Sequence, residues 1–325
     1  MYQQWTSVSD YQHFFGCGRP NGPHGPPNGP HGPPNGPHGP PNGPHGPYAL
    51  PAPPHKVFGL PSEDRLHVTW ALDLDGVVWL AGKAIPGAAG AVRQLREAGE
   101  RVIFLTNNSG PRVAGHLARL AAAGIEWAPD DIATSSQAAA SLIPPGSEVV
   151  VIGDEGIYEA LGQRGVEVVP ARSGAAPAAV VVGRTVELDY DQLATASTAV
   201  REGARFIATN SDATFPTGEG LLPGAGALVA FIAAASGREP EVAGKPHEAM
   251  AELVRDRFGQ VDVMVGDRAD TDGLFAKRLG TRFGLVLSGV TRREDLPISP
   301  APDITADDLA ALVRAALVRG GGEGS

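Results

Sequence analysis

The 325-residue sequence contains one cysteine, Cys17, and therefore cannot form an internal disulfide. Because chains without disulfides are typical of reducing compartments, we expect a cytoplasmic protein. Basic residues are also few: 26 Lys and Arg against 36 Asp and Glu leave a formal net charge of −10. This balance argues against binding to nucleic acid through bulk charge. No stretch approaches the roughly 18 consecutive apolar residues of a membrane helix, so we also expect no membrane partner.

Glycine and proline, by contrast, are abundant, and the excess is concentrated near the N-terminus. A seven-residue repeat, NGPHGPP, begins at Asn21, Asn28 and Asn35, and a fourth copy begins at Asn42. Its glycines are spaced alternately by three and four residues, which excludes a collagen helix because collagen needs glycine at every third residue. The repeat has almost no apolar surface to bury, so we predict that residues 1–60 are disordered.

From residue 66 onward, short apolar runs alternate with amphipathic stretches. The segments HVTWALDLDG and RVIFLTNNSG are typical of buried strands, and GAAGAVRQLREAGE between them has helical spacing. A strand, a helix and a strand in this order form a parallel βαβ unit. The alternation continues, which predicts an α/β fold with a doubly wound, mostly parallel sheet and helices on both faces. We predict that the last stretch, from Ile304, is an amphipathic helix covering one edge of this core.

Several predicted strands end in polar side chains that are suited to chemistry. In open α/β sheets, ligands bind at the carboxyl ends of the strands, so these side chains should lie close together. Lys245 follows a further short segment and should join them. The strand-end residues are Asp73 and Asp75 after the first strand, Thr106, Asn107 and Asn108 after the second, and Asp267 after a later one.

The spacing of these residues predicts a second domain. Thr106 and Lys245 are 139 residues apart, whereas one crossover takes roughly 30 residues. About 100 residues are therefore surplus and should form an inserted domain. We place the core at residues 66–143 plus 241–319 and the inserted α/β domain at residues 144–240.

Four carboxylates and one lysine would converge at these strand ends. The carboxylates would repel one another unless a cation lay among them, and hard oxygen ligands favour Mg²⁺. An aspartate can also attack phosphorus as a nucleophile. Taken singly, DLDG and GDRADTD are equally consistent with a turn or a helix cap. Their order and spacing together favour phosphoryl chemistry at Asp73, Asp75, Lys245, Asp267 and Asp272.

Four motifs, LDLDGVVW, FLTNNS, GKP and VGDRADTD, resemble in order those of the haloacid dehalogenase superfamily of phosphohydrolases. The resemblance runs from Leu66 to about Arg319. The segments TSSQAAA, ATNSDATFP and LLPGAGAL are similar to the NagD or p-nitrophenylphosphatase-like subgroup, subfamily IIA. This resemblance implies a Rossmannoid core with a C2-type cap inserted between the second and third motifs. It also implies Mg²⁺-dependent phosphatase activity and a possible homodimer formed through the cap.

The resemblance implies a role for each motif residue. Asp73 is expected to be the nucleophile, which forms an aspartyl phosphate, and Asp75 the general acid and base. Thr106 and Lys245 are expected to bind the phosphate. The remaining assignments are Asn107 and Asn108 at the cleft mouth against substrate or cap, Asp267 as a Mg²⁺ ligand with the Asp73 carboxylate and the Asp75 carbonyl, and Asp272 as a water-mediated ligand or a partner of Lys245.

Substrate choice should depend on the cap. The segment Thr209–Pro223, with Asn210, Asp212 and Phe215, is polar and glycine-rich, which predicts either a loop over the site or a structural turn. The partner is expected to be a small phosphate ester, either a polyol, sugar or nucleotide phosphate, and resemblance to actinobacterial members makes glycerol 3-phosphate the first choice. A phosphomutase or a non-catalytic phosphate-binding protein of the same fold are the alternatives.

Overall fold

The computed structural model describes residues 67–126, 129–172, 176–217 and 220–320. The predicted disordered segment, residues 1–60, lies outside these ranges. Within them, no helix combines the length and the apolar character that crossing a membrane requires.

Strands and helices alternate along the chain, as the sequence predicts. The strands are β1 (Thr69–Asp73), β2 (Trp79–Leu80), β3 (Lys83–Ala84), β4 (Arg101–Thr106), β5 (Ile132–Thr134), β6 (Glu148–Ile152), β7 (Glu167–Val168), β8 (Ala179–Val182), β9 (Arg205–Ala208), β10 (Thr214–Thr217), β11 (Gly220–Pro223), β12 (Glu241–Val242), β13 (Val263–Gly266), β14 (Arg282–Val286) and β15 (Ile304–Ala306). The α-helices are α1 (Ala88–Glu97), α2 (Val113–Ala122), α3 (Ser135–Ser141), α4 (Glu155–Gln163), α5 (Tyr190–Glu202), α6 (Ala225–Ser236), α7 (Glu248–Phe258), α8 (Leu274–Leu279) and α9 (Leu309–Gly320).

The core sheet has six parallel strands in the order β15-β14-β13-β1-β4-β5. The chain leaves β1 for β4 on one side and later returns to β13 on the other side. The carboxyl ends of β1, β4 and β13 are therefore neighbours at the point where the strand order reverses. This is the position at which open α/β sheets bind ligands.

A second parallel sheet, in the order β12-β9-β8-β6-β7, forms the cap. It confirms the inserted α/β domain that the surplus of residues predicts. The structure carries this sheet two residues beyond the predicted boundary at residue 240, because β12 pairs with β9. Glu241 and Val242, which we assigned to the core, therefore belong to the cap sheet.

Apolar side chains cover both faces of each sheet, as expected for buried parallel strands. One face of the core sheet packs against α1, α2 and α9, with Val92 and Leu95 buried as the helical spacing predicts. The opposite face contributes Ala71 and Leu105 to a cluster that continues without a break to Val151 of the cap. The cap and the core therefore share one apolar interior.

Two predicted segments differ from the structure. We predicted either a loop over the site or a structural turn at Thr209–Pro223, but β10 and β11 form an antiparallel hairpin there, since Thr and Phe favour strands. We predicted one helix from Ile304 over an edge of the core. Instead, Ile304–Ala306 is the edge strand β15, and the helix α9 begins only at Leu309. Asp308 precedes this helix, and its side chain accepts a hydrogen bond from the Ala311 amide as a helix cap does.

The start of α4 lies against a loop of the core. The Gly156 amide donates to the Gly110 carbonyl at 2.9 Å. A Cβ atom on Gly156 would lie 2.3 Å from the Pro111 carbonyl oxygen, which belongs to the backbone and cannot easily move aside. Glycine at this position therefore sets how closely the cap approaches the core.

We expect Gly156→Ala to lower the free energy of unfolding by about 1–3 kcal/mol, because the added methyl group overpacks this contact. Gly162→Ala, in the same helix with nothing within 4 Å of its Cβ position, is the matched control and should be neutral or stabilise by up to about 1 kcal/mol. Urea unfolding of both variants measures the difference. Equal effects would contradict a close contact at Gly156.

Candidate active site

A buried lysine lies at the centre of the strand ends. Lys245, 2% exposed, follows β12, and its Nζ lies 2.8 Å from Asp73 Oδ1 and 2.8 Å from Asp272 Oδ1. Burial alone lowers the pKa of Lys245, but the carboxylates of Asp272 and Asp73 outweigh it and raise the pKa above its ordinary value. Lys245 is therefore charged and connects the end of β1 to the turn after β13.

Asp73, Asp267 and Asp272 form a compact carboxylate cluster around this lysine. One oxygen of each lies within 4.8 Å of the others, and all three residues are buried. Burial raises the pKa of Asp73 well above its ordinary value, with Lys245 opposing the shift and Asp272 adding to it. Burial, with the charge of Asp272, also raises the pKa of Asp267 to about 7. One ammonium group therefore does not compensate the buried negative charge.

This donor set fits a hard divalent cation. Carboxylate oxygens at this spacing are the ligands that Mg²⁺ uses in proteins, and a cation among them would offset the burial and the mutual repulsion that raise the pKa values of Asp73 and Asp267. The backbone shapes the cluster as well. Gly76 has a φ of 84°, and a Cβ atom there would lie 2.3 Å from Asp267 Oδ2. Gly76 thus leaves room for the Asp267 carboxylate.

Asp75 lies beside the cluster in a different environment. Its Oδ1 accepts a hydrogen bond of 3.0 Å from Trp79 Nε1, which fixes the carboxyl group at the start of the β2–β3 hairpin. Burial raises the pKa of Asp75, and the bond from Trp79 opposes the shift. Asp73 forms an ion pair with Lys245 at 2.8 Å, whereas Asp75 is bonded to Trp79, so the two aspartates are suited to different tasks.

The carboxylate cluster forms the floor of a cavity between core and cap. The cavity measures about 710 Å³, including the part open to solvent. Thr106, Asn107 and Asn108 line it from the core, as predicted. The predicted cap residues Asn210, Asp212 and Phe215 also line it, so the structure brings every predicted site residue except the fully buried Asp272 to its wall, and Lys245 contacts that one.

Two arginines of the cavity wall escaped the sequence analysis. Arg184 follows β8 in the cap, and Arg268 follows Asp267 in the core. Arg268 donates to both carboxylate oxygens of Asp270, at 3.1 and 2.9 Å. The guanidinium of Arg184 lies 4.3 Å from the centre of the Phe215 ring. The sequence did contain a signal for Arg184, because it directly follows the apolar run AVVVG and residues at strand ends face ligands.

Family models match both halves of the core. Residues 70–167 match the haloacid dehalogenase-like hydrolases, and residues 242–312 match a second model described as HAD-hydrolase-like. The sequence is also 35% identical over 233 residues to a dihydroxyacetone phosphatase from Corynebacterium glutamicum, and the match covers 70% of this chain and 83% of that protein. The chain belongs to the haloacid dehalogenase-like hydrolases.

Relatives from mycobacteria extend this family assignment. A D-glycerol 3-phosphate phosphatase from Mycobacterium tuberculosis is 38% identical over 237 residues, which cover 70% of this chain and 65% of that protein, less than two thirds of its length. The solved structure of a glycerol phosphate phosphatase from the same organism, in complex with magnesium, has a TM-score of 0.70 at 35% identity and covers 76% of each chain. The similar proteins belong to the NagD and p-nitrophenylphosphatase-like branch of the family, which is the branch that the sequence resembles.

In this haloacid dehalogenase-like hydrolase, Asn107 holds the lysine segment in place. Its Oδ1 accepts from the Lys245 amide at 2.8 Å, and its Nδ2 donates to the Lys245 carbonyl at 3.0 Å. The Asn107 carbonyl accepts from Ser135 Oγ and from Asn210 Nδ2, each at 2.7 Å. Asn107 therefore connects the lysine, the core and the cap. Its Nδ2 also donates to Asp212 Oδ2 of the cap at 3.4 Å, so the side chain contacts the cap, and the expected contact with the substrate stays a prediction.

We expect Asn107→Ala to lower the free energy of unfolding by about 2 kcal/mol or more, because two buried backbone groups of Lys245 lose their partners. Asn108→Ala is the matched control. Its side chain accepts one bond, from the Gly110 amide at 3.2 Å, so we expect a loss of about 1 kcal/mol or less. Urea unfolding measures both variants. Equal losses of unfolding free energy would show that the two hydrogen bonds from Asn107 to the Lys245 backbone do not stabilise the fold.

Proposed function

We propose that this protein is a Mg²⁺-dependent phosphomonoesterase that hydrolyses a small phosphate ester through an aspartyl phosphate. The contact of 2.8 Å between Lys245 Nζ and Asp73 Oδ1, on the floor of a cavity with a cluster of buried carboxylates, carries the proposal. It pairs an oxygen nucleophile with a fixed cation, which is what phosphoryl transfer needs. The phosphatase activities of the relatives support the same reaction class.

In the first step, Asp73 attacks the phosphorus atom. The new bond joins an Asp73 carboxylate oxygen to phosphorus, and the bond from phosphorus to the ester oxygen breaks. Lys245 neutralises charge on the phosphate oxygens, and the Thr106 hydroxyl binds one of them. Asp75, whose raised pKa favours a proton at the carboxyl group, gives that proton to the leaving oxygen.

In the second step, Asp75 takes a proton from water, and the water oxygen attacks phosphorus. The bond to Asp73 breaks and releases inorganic phosphate. Asp73, the Asp75 carbonyl and Asp267 would hold Mg²⁺, with Asp272 as a water-mediated ligand or as the partner that orients Lys245. Bound Mg²⁺ supplies neutralisation of the phosphate charge.

Glycerol 3-phosphate is the first substrate to test, since it is the substrate in the name of the mycobacterial relative. The dihydroxyacetone phosphatase supports the wider class of small three-carbon phosphate esters. Homodimerisation through the cap and a cytoplasmic location stay predictions, the second supported by the single cysteine.

With Mg²⁺, we expect the purified protein to release phosphate from glycerol 3-phosphate and p-nitrophenyl phosphate. Phosphate release should stop when EDTA is added. Asp73→Asn should lower kcat by about a thousandfold or more, because the amide is not a nucleophile. A phosphate assay measures both effects.

Asp256→Asn makes the same chemical change on the exposed face of α7 and should leave the rate unchanged. Activity that survives in EDTA or in Asp73→Asn would refute the proposed mechanism.

A further inference from the structure

Arg184 lies in the cap wall of the cavity, opposite the phosphate end of the site. It follows Gly183 at the end of β8, and its amide donates to Ser109 Oγ of the core at 3.3 Å, which fixes the backbone at the junction of cap and core. Its side chain is 20% exposed. Lys245, Thr106 and the carboxylates belong to the core floor, so Arg184 faces the part of the ester that leaves.

The guanidinium of Arg184 has unused hydrogen-bonding capacity. Among the described residues its side chain donates no hydrogen bond; Nη1 forms an ion pair with Asp154 Oδ2 at 3.8 Å, which is beyond hydrogen-bond distance. The group lies over the Phe215 ring at 4.3 Å, a contact that restricts its position. An arginine that is mostly buried and donates no side-chain hydrogen bond is suited to bind an anion with two parallel hydrogen bonds.

The other arginine of the cavity wall already has a carboxylate partner. Arg268 binds Asp270 through two hydrogen bonds and lies near Asp212. Asp212 in turn accepts from Asn107 Nδ2 at 3.4 Å. Arg184 is thus the cation of the described cavity wall that lacks a hydrogen-bonded carboxylate.

The rest of the leaving-group region combines apolar surface with uncharged or acidic polar groups. Leu80, Phe215 and Val290 line the cavity with apolar surface. Asn108 Oδ1 accepts from the Gly110 amide, and the Asn210 amide donates to the Asn107 carbonyl. Asp212, Thr214 and Thr271 also line the cavity and can bind hydroxyl groups. A neutral polyol could use these groups, but it would not pair with the charge of Arg184.

We infer that Arg184 selects phosphate monoesters whose leaving group carries a carboxylate, which the guanidinium binds in bidentate fashion. The inference rests on the proposed phosphatase function and makes it more specific, since it ranks carboxylated esters above glycerol 3-phosphate. Arg184 is a specificity-determining residue and takes no part in the transfer of the phosphoryl group.

A matched substrate pair tests this inference. 3-Phosphoglycerate differs from glycerol 3-phosphate by a carboxylate in place of a hydroxymethyl group. With Mg²⁺, we expect kcat/KM to be at least about tenfold higher for 3-phosphoglycerate, because hydrogen bonds to charged groups have this strength. p-Nitrophenyl phosphate reports separately on phosphatase activity. If it is hydrolysed and the pair shows no preference, the inference fails while the proposed function stands; no hydrolysis of any ester refutes the proposed function.

Arg184→Met keeps an unbranched side chain over Phe215 and removes the guanidinium group with its paired hydrogen-bond donors. We expect kcat/KM for 3-phosphoglycerate to fall by about tenfold to a hundredfold, mainly through KM, and the ratio between the two substrates to approach one. Arg184→Lys should give an intermediate ratio because it keeps the charge without the paired donors. Arg201→Met removes an exposed arginine of the cap outside the cavity and should leave the ratio unchanged.

Three outcomes would overturn the inference. Equal losses for both substrates in Arg184→Met would mean that Arg184 only supports the cap. A changed ratio in Arg201→Met would mean that the overall charge of the cap sets the preference. A wild-type preference for propane-1,3-diol bisphosphate over 3-phosphoglycerate, lost in Arg184→Met, would assign a second phosphate rather than a carboxylate to Arg184.

Discussion

The electrostatic balance around Lys245 is the constraint on which the rest of the structure depends. An ammonium group that is 2% exposed can stay charged only with carboxylates in contact, and Asp73 and Asp272 provide them at 2.8 Å each. Asp73 ends β1 and Asp272 follows β13, and the strand order of the sheet reverses between these two strands. Both ion pairs therefore form only because β1 and β13 are adjacent. The same buried carboxylates exceed the charge of one lysine, which makes the site suited to a divalent cation.

The precision of this site depends on contacts that carry no chemistry themselves. The Asn107 side chain binds both backbone groups of Lys245, and its carbonyl accepts hydrogen bonds from Ser135 and Asn210. The floor of the cavity and the cap therefore share one polar junction. Beside that junction, the buried Ser109 hydroxyl meets both Thr209 and the Arg184 amide. The continuous apolar cluster beneath reinforces the junction. Such a cap is part of the enzyme's wall and can present specificity residues at fixed positions.

The division of labour between core and cap follows from this arrangement. The core strand ends supply the charged groups that a phosphate needs, and every phosphate ester offers the same phosphate. Discrimination must then come from groups that meet the leaving part of the ester, and those belong largely to the cap hairpin and the end of β8. A single arginine there changes which leaving groups fit, without any change in the reacting atoms.

The sequence by itself determined the fold class, the surplus that forms the cap and the residues of the carboxylate cluster, because strand-end motifs and their spacing are local properties of the chain. The apolar runs also predicted the first strand, helix and strand of the core, which the structure shows as β1, α1 and β4. It failed at the β10–β11 hairpin, whose polar and glycine-containing sequence is also typical of a loop, and at β15, a three-residue strand that pairs with β14. Only the tertiary structure decided that Asn107 clamps Lys245, that Gly76 makes room for Asp267 and that Arg184 faces the cavity. Each of these contacts joins segments dozens to nearly two hundred residues apart, and no local pattern records which of them will meet.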